Sequence, residues 1–261
     1  MRFHAAFRIA RLGVALQLLI LPLLTSQSRA EEILVAVASN FAEPMAQIIA
    51  EFEAGTGHRI EMAIGSSGRF YAQIVNGAPF QIFFSADQDK VAQLAVNGLI
   101  VPDTEFTYAV GRLVLWSAAE NSDLVDLDRL ADSSFQRLAI ANPRVAPYGA
   151  AAVEVLQSVG ISPLNDQRIV QGENIAQAFQ FVDTGNAELG LVALSQVYRD
   201  GRLVKGSSQI VSQDLHQPIR QDAVLLARAA ECGACRQFLD FVASETGQRI
   251  MQSFGYSQYQ E

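Results

Sequence analysis

Serine, asparagine, tyrosine and glycine recur at four places where an apolar, strand-like run gives way to a helix-like one. These are Ser39-Asn40, Gly65-Ser66-Ser67-Gly68, Pro147-Tyr148-Gly149 and Glu173-Asn174-Ile175. A helix start leaves backbone N–H groups without an internal partner and carries the positive end of the helix dipole, about half a unit charge. In an open parallel α/β sheet such turns lie at the carboxyl ends of the strands, where ligands bind. Taken singly, each turn is also what an ordinary helix cap looks like: Ser and Asn are favoured N-caps, and Asn40 with Glu43 has the spacing of a capping box. As a set, two turns from each half of the chain would offer hydroxyls and amides around one gap with little formal charge. That suits a small, fully ionised tetrahedral oxyanion. Glu173 is badly placed beside an anion, so the fourth turn is expected to contribute a backbone N–H with its acid turned away.

The charge balance makes this arrangement necessary if an anion is the ligand. The chain has 19 Lys and Arg against 27 Asp and Glu, a net charge of −8. Residues 1–30 read as a secretory signal peptide: Arg2, Arg8 and Arg11, an apolar run from Leu12 to Leu24, then Ser28-Arg29-Ala30 before a cut at Glu31. Without that segment the balance is 15 against 27, or −12. The general field therefore repels anions, nucleic acid is an unsuitable partner, and an anion site must work through short-range hydrogen bonds. The leader implies export, and a soluble periplasmic protein is expected. The remaining 231 residues, in a chain that is 50% apolar, can bury a full core.

Other chemistry is less well supported. Gly65-Ser66-Ser67-Gly68-Arg69 misses the Gly-x-Ser-x-Gly nucleophile elbow because Arg69 stands at the last glycine, and no acid and His are placed to complete a triad. No phosphate-binding Gly-x-x-x-x-Gly-Lys-Ser/Thr loop occurs. Asp87 and Asp89 could be a carboxylate pair but read better as acids opening a helix. Cys232 and Cys235 form one Cys-x-x-Cys, open to a local disulfide in an oxidising compartment. His58 and His216 have no metal-ligand spacing. Arg69 and Arg144 are the cations nearest the proposed cleft, as surface charges or as a clamp on a carboxylate or phosphate.

The elements that must position these turns follow from periodicity. Ile33–Ala38, Arg59–Ile64 and Gln81–Ser85 read as strands, each followed by a helix: one with Phe41, Met45, Ile48 and Phe52 that stops at Gly55, one ending at Asn76-Gly77, and one from Asp87 to Val96. Phe106 to Ser117 is a longer extended segment interrupted by Gly111, which marks a bend or crossing. Alternation resumes with strands at 137–141, 168–171 and 189–194 and helices at 147–159 and 173–182. A second extended segment, 219–227, precedes two amphipathic helices. The expected fold is α/β with two lobes, 31–110 with 220–261 and 111–219, each a mostly parallel sheet flanked by helices, joined by two crossings.

The blocks "VAVASNFAEPM", "GSSGRFYAQIVNGAPFQIFFSADQ", "TYAVGRLVLWS", "GENIAQAFQFVDTGNAELGLVALSQV" and "QSFGY" resemble those of the periplasmic molybdate-binding proteins of ATP-driven importers, over nearly the whole chain after the leader. The resemblance implies the type II periplasmic binding protein fold, with molybdate or tungstate gripped between the lobes by uncharged donors. It carries over Ser39, with Asn40 beside it, Ser67, Tyr148 and, through its backbone N–H, Ile175. Oxygens of the anion would be bound through these groups, with no direct metal ligand. One branch of the family places a ligand-binding Tyr where Ala193 stands here, and the Tyr148 phenol is a candidate replacement. Gln81 stands where an acid is common. The implied partners are the oxyanion and a membrane permease; a monomer with no cofactor and no enzymatic activity is expected. A sulfate or other oxyanion receptor, a hydrolase on the same fold, and a sensor docking on a receptor remain open at this stage.

Overall fold

The computed structural model describes residues 30–257 except 121, 124, 132–134, 164 and 165. Residues 1–29 of the proposed leader lie outside the described residues.

β1 (Glu32–Ala38) runs through a 3-10 turn at Ser39–Phe41 into α1 (Ala42–Thr56). β2 (Arg59–Gly65), α2 (Ser67–Val75), β3 (Ile82–Phe84) and α3 (Asp89–Val96) complete the first run. β4 (Phe106–Gly111) and β5 (Leu113–Ser117) are separated by Arg112 alone, yet they belong to different sheets. The chain thus crosses between lobes directly after Gly111. The second lobe contains α4 (Leu127–Ala131), β6 (Leu138–Ala141), α5 (Pro147–Ser158), β7 (Ile169–Gly172), α6 (Ile175–Asp183) and β8 (Leu189–Ala193). It continues with α7 (Leu194–Val197), the small ribbon of β9 (Tyr198–Arg199) and β10 (Arg202–Leu203), and β11 (Ser207–Ile210). β12 (Ile219–Leu225) returns to the first sheet, followed by α8 (Gly233–Ala243) and α9 (Glu245–Ser253).

The two five-stranded sheets share one plan, β2-β1-β3-β12-β4 and β7-β6-β8-β5-β11. Pairing is parallel only within β2-β1-β3 and β7-β6-β8. β12 pairs antiparallel with β3 and β4, and β5 does the same with β8 and β11. Each sheet is therefore mostly parallel, as expected: four strands run one way, and a single reversed strand, β12 or β5, lies among them. The reason is directional: β5 and β12 arrive from the opposite lobe, so they enter at the cleft end and run away from it, while the parallel strands run towards it.

Side-chain alternation along β3 covers both faces of the first sheet. Phe84 packs with Phe41, Phe52 and Phe238 on one side, and Phe83 with Phe70 and Phe80 on the other. In the second lobe Trp116 stacks on Phe179 at 4.9 Å. The lobes also meet through Arg199, which lies 4.0 Å over the Phe254 ring and pairs with Glu43 of α1.

Two local expectations are corrected. α1 continues through Gly55 and ends at Gly57 (φ 78°), whose N–H reaches Glu53 O at 2.9 Å; Thr56 supports the added turn by donating Oγ1 to Phe52 O at 2.8 Å. Asn40 and Glu43 form no capping box, because the N-terminus of α1 is preceded by the 3-10 turn and the Asn40 side chain points elsewhere. Cys232 and Cys235 are disulfide-bonded at the start of α8. Gln81 accepts the Leu34 N–H at 2.9 Å and directs its Nε2 at both sulfurs, 3.8 and 3.6 Å away, so the amide joins β1 to the disulfide where a carboxylate could serve only the first.

Closing so short a loop removes little chain entropy. Replacing both cysteines by serine is expected to cost about 2 kcal/mol, a fall of several degrees in Tm by calorimetry, with ligand binding unchanged.

Candidate functional site

Four strand-to-helix turns from both lobes converge on one small cavity. Its walls are Ala38, Ser39, Asn40, Gly65, Ser66, Ser67, Ala86, Ala146, Pro147, Tyr148, Asn174 and Ile175. All five residues expected from the sequence are brought together here. No charged side chain lines the cavity.

Each turn presents its donors differently. Ser39 is a buried residue in the cavity wall. Ser67 Oγ accepts the Ala86 N–H at 2.8 Å, which orients the hydroxyl and leaves its proton to donate. Ser67, Tyr148 and Ile175 open α2, α5 and α6, so their N–H groups have no carbonyl within their own helices. Pro147 fits the first position of α5 because it has no N–H to lose, and Tyr148 carries the first one available. Asn174 is an ordinary cap: its side chain accepts the Gln177 N–H at 3.0 Å, while Gln177 accepts the Glu173 N–H at 2.6 Å. That reciprocal pair fixes the turn beside Ile175, which lines the cavity.

One residue was not singled out from the sequence. Ser66, the N-cap of α2, makes no capping bond, and its hydroxyl is fully buried without a partner among the described residues. An unpaired buried hydroxyl costs about 1–3 kcal/mol, so a group in the cavity that meets it gains that much. The signal lay in the Ser-Ser doublet, where either serine could have served as the cap.

Beside the cavity lies a closed polar network. Asn40 Nδ2 donates to Gln221 Oε1 at 2.7 Å and to the Tyr256 hydroxyl at 2.9 Å, and its backbone oxygen accepts from Ser195 Oγ at 2.8 Å and Tyr256 OH at 2.9 Å. Tyr108 OH donates towards Gln221 Oε1 at 2.9 Å, and Gln221 Nε2 donates to Tyr148 OH at 3.2 Å. Thus β12 places one amide among groups from both lobes. The Tyr148 phenol is engaged there and packs against Gly111; a Cβ at Gly111 would stand 2.1 Å from that oxygen. This gives the glycine in the crossing segment a second role: it makes space for the phenol.

The cations flagged in the sequence are elsewhere. Arg69 pairs with Glu173 at 2.6 Å, both side chains more than half exposed, and Arg144 is exposed in a neighbouring groove. Neither lines the cavity. Asp87 is no catalytic partner of Asp89: it accepts the Lys90 N–H at 2.8 Å and the Ser85 hydroxyl at 3.3 Å, and burial raises its pKa. His58 Nδ1 accepts the Glu31 N–H at 3.1 Å. Among the described residues no group of three His, Cys, Asp or Glu is placed to hold a metal, and no helix is long and apolar enough to cross a membrane.

The model of the bacterial extracellular solute-binding proteins matches residues 33–257. The chain belongs to that family. It is 45% identical over 251 residues to the molybdate-binding protein ModA of Azotobacter vinelandii, covering 96% of this chain and 98% of the relative. The ModA of Rhodobacter capsulatus is 45% identical over 228 residues, 87% of this chain and 88% of the other. Among solved structures, the Azotobacter vinelandii periplasmic molybdate-binding protein superposes with a TM-score of 0.83 at 36% identity, covering 87% of this chain and 100% of that one. The resemblance read from the sequence blocks therefore extends to the whole fold.

Burial of three phenols makes the fold sensitive to base. Burial pushes the Tyr256 phenol up to about 12 and those of Tyr108 and Tyr148 well above their ordinary value of 10. Below pH 10 folded and unfolded chains both keep these protons, so this stability is fully present. From pH 10 towards 12 the unfolded chain releases them while the native one does not, and stability falls by up to about 1.4 kcal/mol per pH unit for each phenol. Urea unfolding at pH 9, 10, 11 and 12 is expected to show this loss, and Tyr256→Phe is expected to lessen the slope.

Proposed function

We propose that this protein captures molybdate, and tungstate with it, in the periplasm and delivers the anion to the membrane permease of an ATP-driven importer. The observation that carries this reading is the cavity itself: small, built at four helix starts, lined only by uncharged groups, in a chain 45% identical to molybdate-binding proteins over nearly its full length. The proposed contacts are the hydroxyls of Ser39 and Ser67 and the N–H groups of Asn40, Ser67, Tyr148 and Ile175. Tyr148 acts through its backbone in this reading, since its phenol is held by Gln221. Ser66, whose buried hydroxyl has no partner among the described residues, adds a further donor to the anion.

Binding rather than turnover fits the chemistry. A hydrolase would need a base within reach of a nucleophile, and neither a carboxylate nor an imidazole lines the cavity. Hydrogen bonds to a charged ligand contribute about 1.5–3 kcal/mol each, so six of them exceed the cost of association and leave roughly −8 to −12 kcal/mol, micromolar to nanomolar affinity. The bodies that close on the anion are residues 31–110 with 220–261 and residues 111–219, turning about the two crossings. The monomer suffices, because one chain supplies all four turns.

Titration calorimetry with molybdate, tungstate, sulfate and phosphate tests this. Heat is expected from the first two, with sulfate and phosphate weaker. Ser39→Ala with Ser67→Ala is expected to weaken molybdate binding by about 3–6 kcal/mol, a hundredfold or more, with an unchanged fold by circular dichroism. Silence towards molybdate and tungstate would end the reading, and near-normal affinity in the double variant would relocate the pocket.

A further inference from the structure

The geometry points to a two-part latch across the rim of the cavity, made by Gly68 with Val145 and Arg69 with Glu173, that sets how long the closed protein holds its anion. This rests on the oxyanion-binding reading above and goes beyond it by assigning roles to four residues outside the cavity wall.

Gly68 is the second residue of α2, one position after Ser67. Its N–H has no partner within its own helix, and instead of facing the cavity it donates to Val145 O in the opposite lobe at 2.9 Å. The approach is close enough that a Cβ on Gly68 would stand 2.9 Å from Val145 Cα and 3.1 Å from its oxygen. Backbone atoms on the far side cannot step aside as a flexible side chain could, so only glycine lets the two lobes meet here. The next residue, Arg69, reaches Glu173 in the turn before α6. Two consecutive residues of one helix start therefore contact the two turns that carry Tyr148 and Ile175.

The arrangement couples binding to closure. Ser67 addresses the cavity and Gly68 addresses the other lobe from the same rigid turn, so the anion can leave only after the Gly68–Val145 bond opens. The ion pair adds to this from the solvent side. With side chains 53% and 57% exposed it is screened by salt, which makes it a modest and adjustable part of the latch. It also neutralises the cation nearest the site, so the cavity keeps its uncharged character, and it holds Glu173 away from the anion.

Release of radiolabelled molybdate into excess unlabelled molybdate, followed by filter retention, measures the effect. Arg69→Ala and Glu173→Ala are each expected to speed release about two- to fivefold, with the double variant no faster than the singles. The reversed pair, Arg69→Glu with Glu173→Arg, is expected to restore slow release. Wild-type release is expected to quicken as ionic strength rises from 0.02 to 0.5 M, roughly a fall in Debye length from over 20 Å to under 5 Å, and the double alanine variant to lose that dependence. Gly68→Ala is expected to speed release on the order of tenfold while changing the association rate little. Normal retention by the wild type with unchanged release in all variants overturns the latch alone. No retention by the wild type overturns both the latch and the molybdate reading.

Discussion

A buried anion with no cation beside it is stable only if its oxygens are met by hydrogen bonds as complete as those of water. This chain imposes that requirement on itself, since residues 31–261 have a balance of −12 and attract no anion from a distance. In the proposed site, backbone N–H groups that their own helices leave unused, at Ser67, Tyr148 and Ile175, are gathered with the hydroxyls of Ser39, Ser66 and Ser67. Fixed donors of this kind need no reorganisation when the ligand arrives, and their strength rises as water is excluded. One lobe cannot exclude water from a cleft, so the two-lobe architecture follows from the same requirement.

The sheets serve this end by direction as much as by packing. Parallel strands deliver the ends of β1, β2, β6 and β7 to the cleft, with a helix start following each. The crossing strands run the other way, which brings Gln221 of β12 against Asn40, Tyr108 and Tyr148. Its single amide accepts from the first lobe and donates to the second. The network thereby fixes Asn40, next to the Ser39 hydroxyl, without spending the Asn40 side chain on the cavity.

The strand and helix alternation, the crossing at Gly111 and the convergence of four turns were legible because each rests on local pattern: apolar periodicity, a glycine inside an extended run, and small polar residues at helix starts. What escaped depends on contacts distant in sequence. Asn40 looks like half of a capping box until Gln221 and Tyr256 claim its amide. Gly55 looks like a helix stop because glycine disfavours helix, yet packing of the turn carries α1 on to Gly57. The one reversed strand in each sheet follows from chain crossings, which periodicity does not encode, and the pairing of Arg69 with Glu173 joins residues 104 apart. Ser66 could be separated from Ser67 only by seeing which hydroxyl was left without a partner.

Crystals grown with molybdate and measured at the molybdenum absorption edge would locate the metal centre directly by its anomalous scattering. The expected map has one peak between the starts of α2, α5 and α6, its oxygens contacted by Ser39, Ser67 and the N–H groups of Tyr148 and Ile175. A peak outside this cavity, or oxygens clasped by an arginine or lysine side chain, would contradict the account of an anion held by uncharged donors alone.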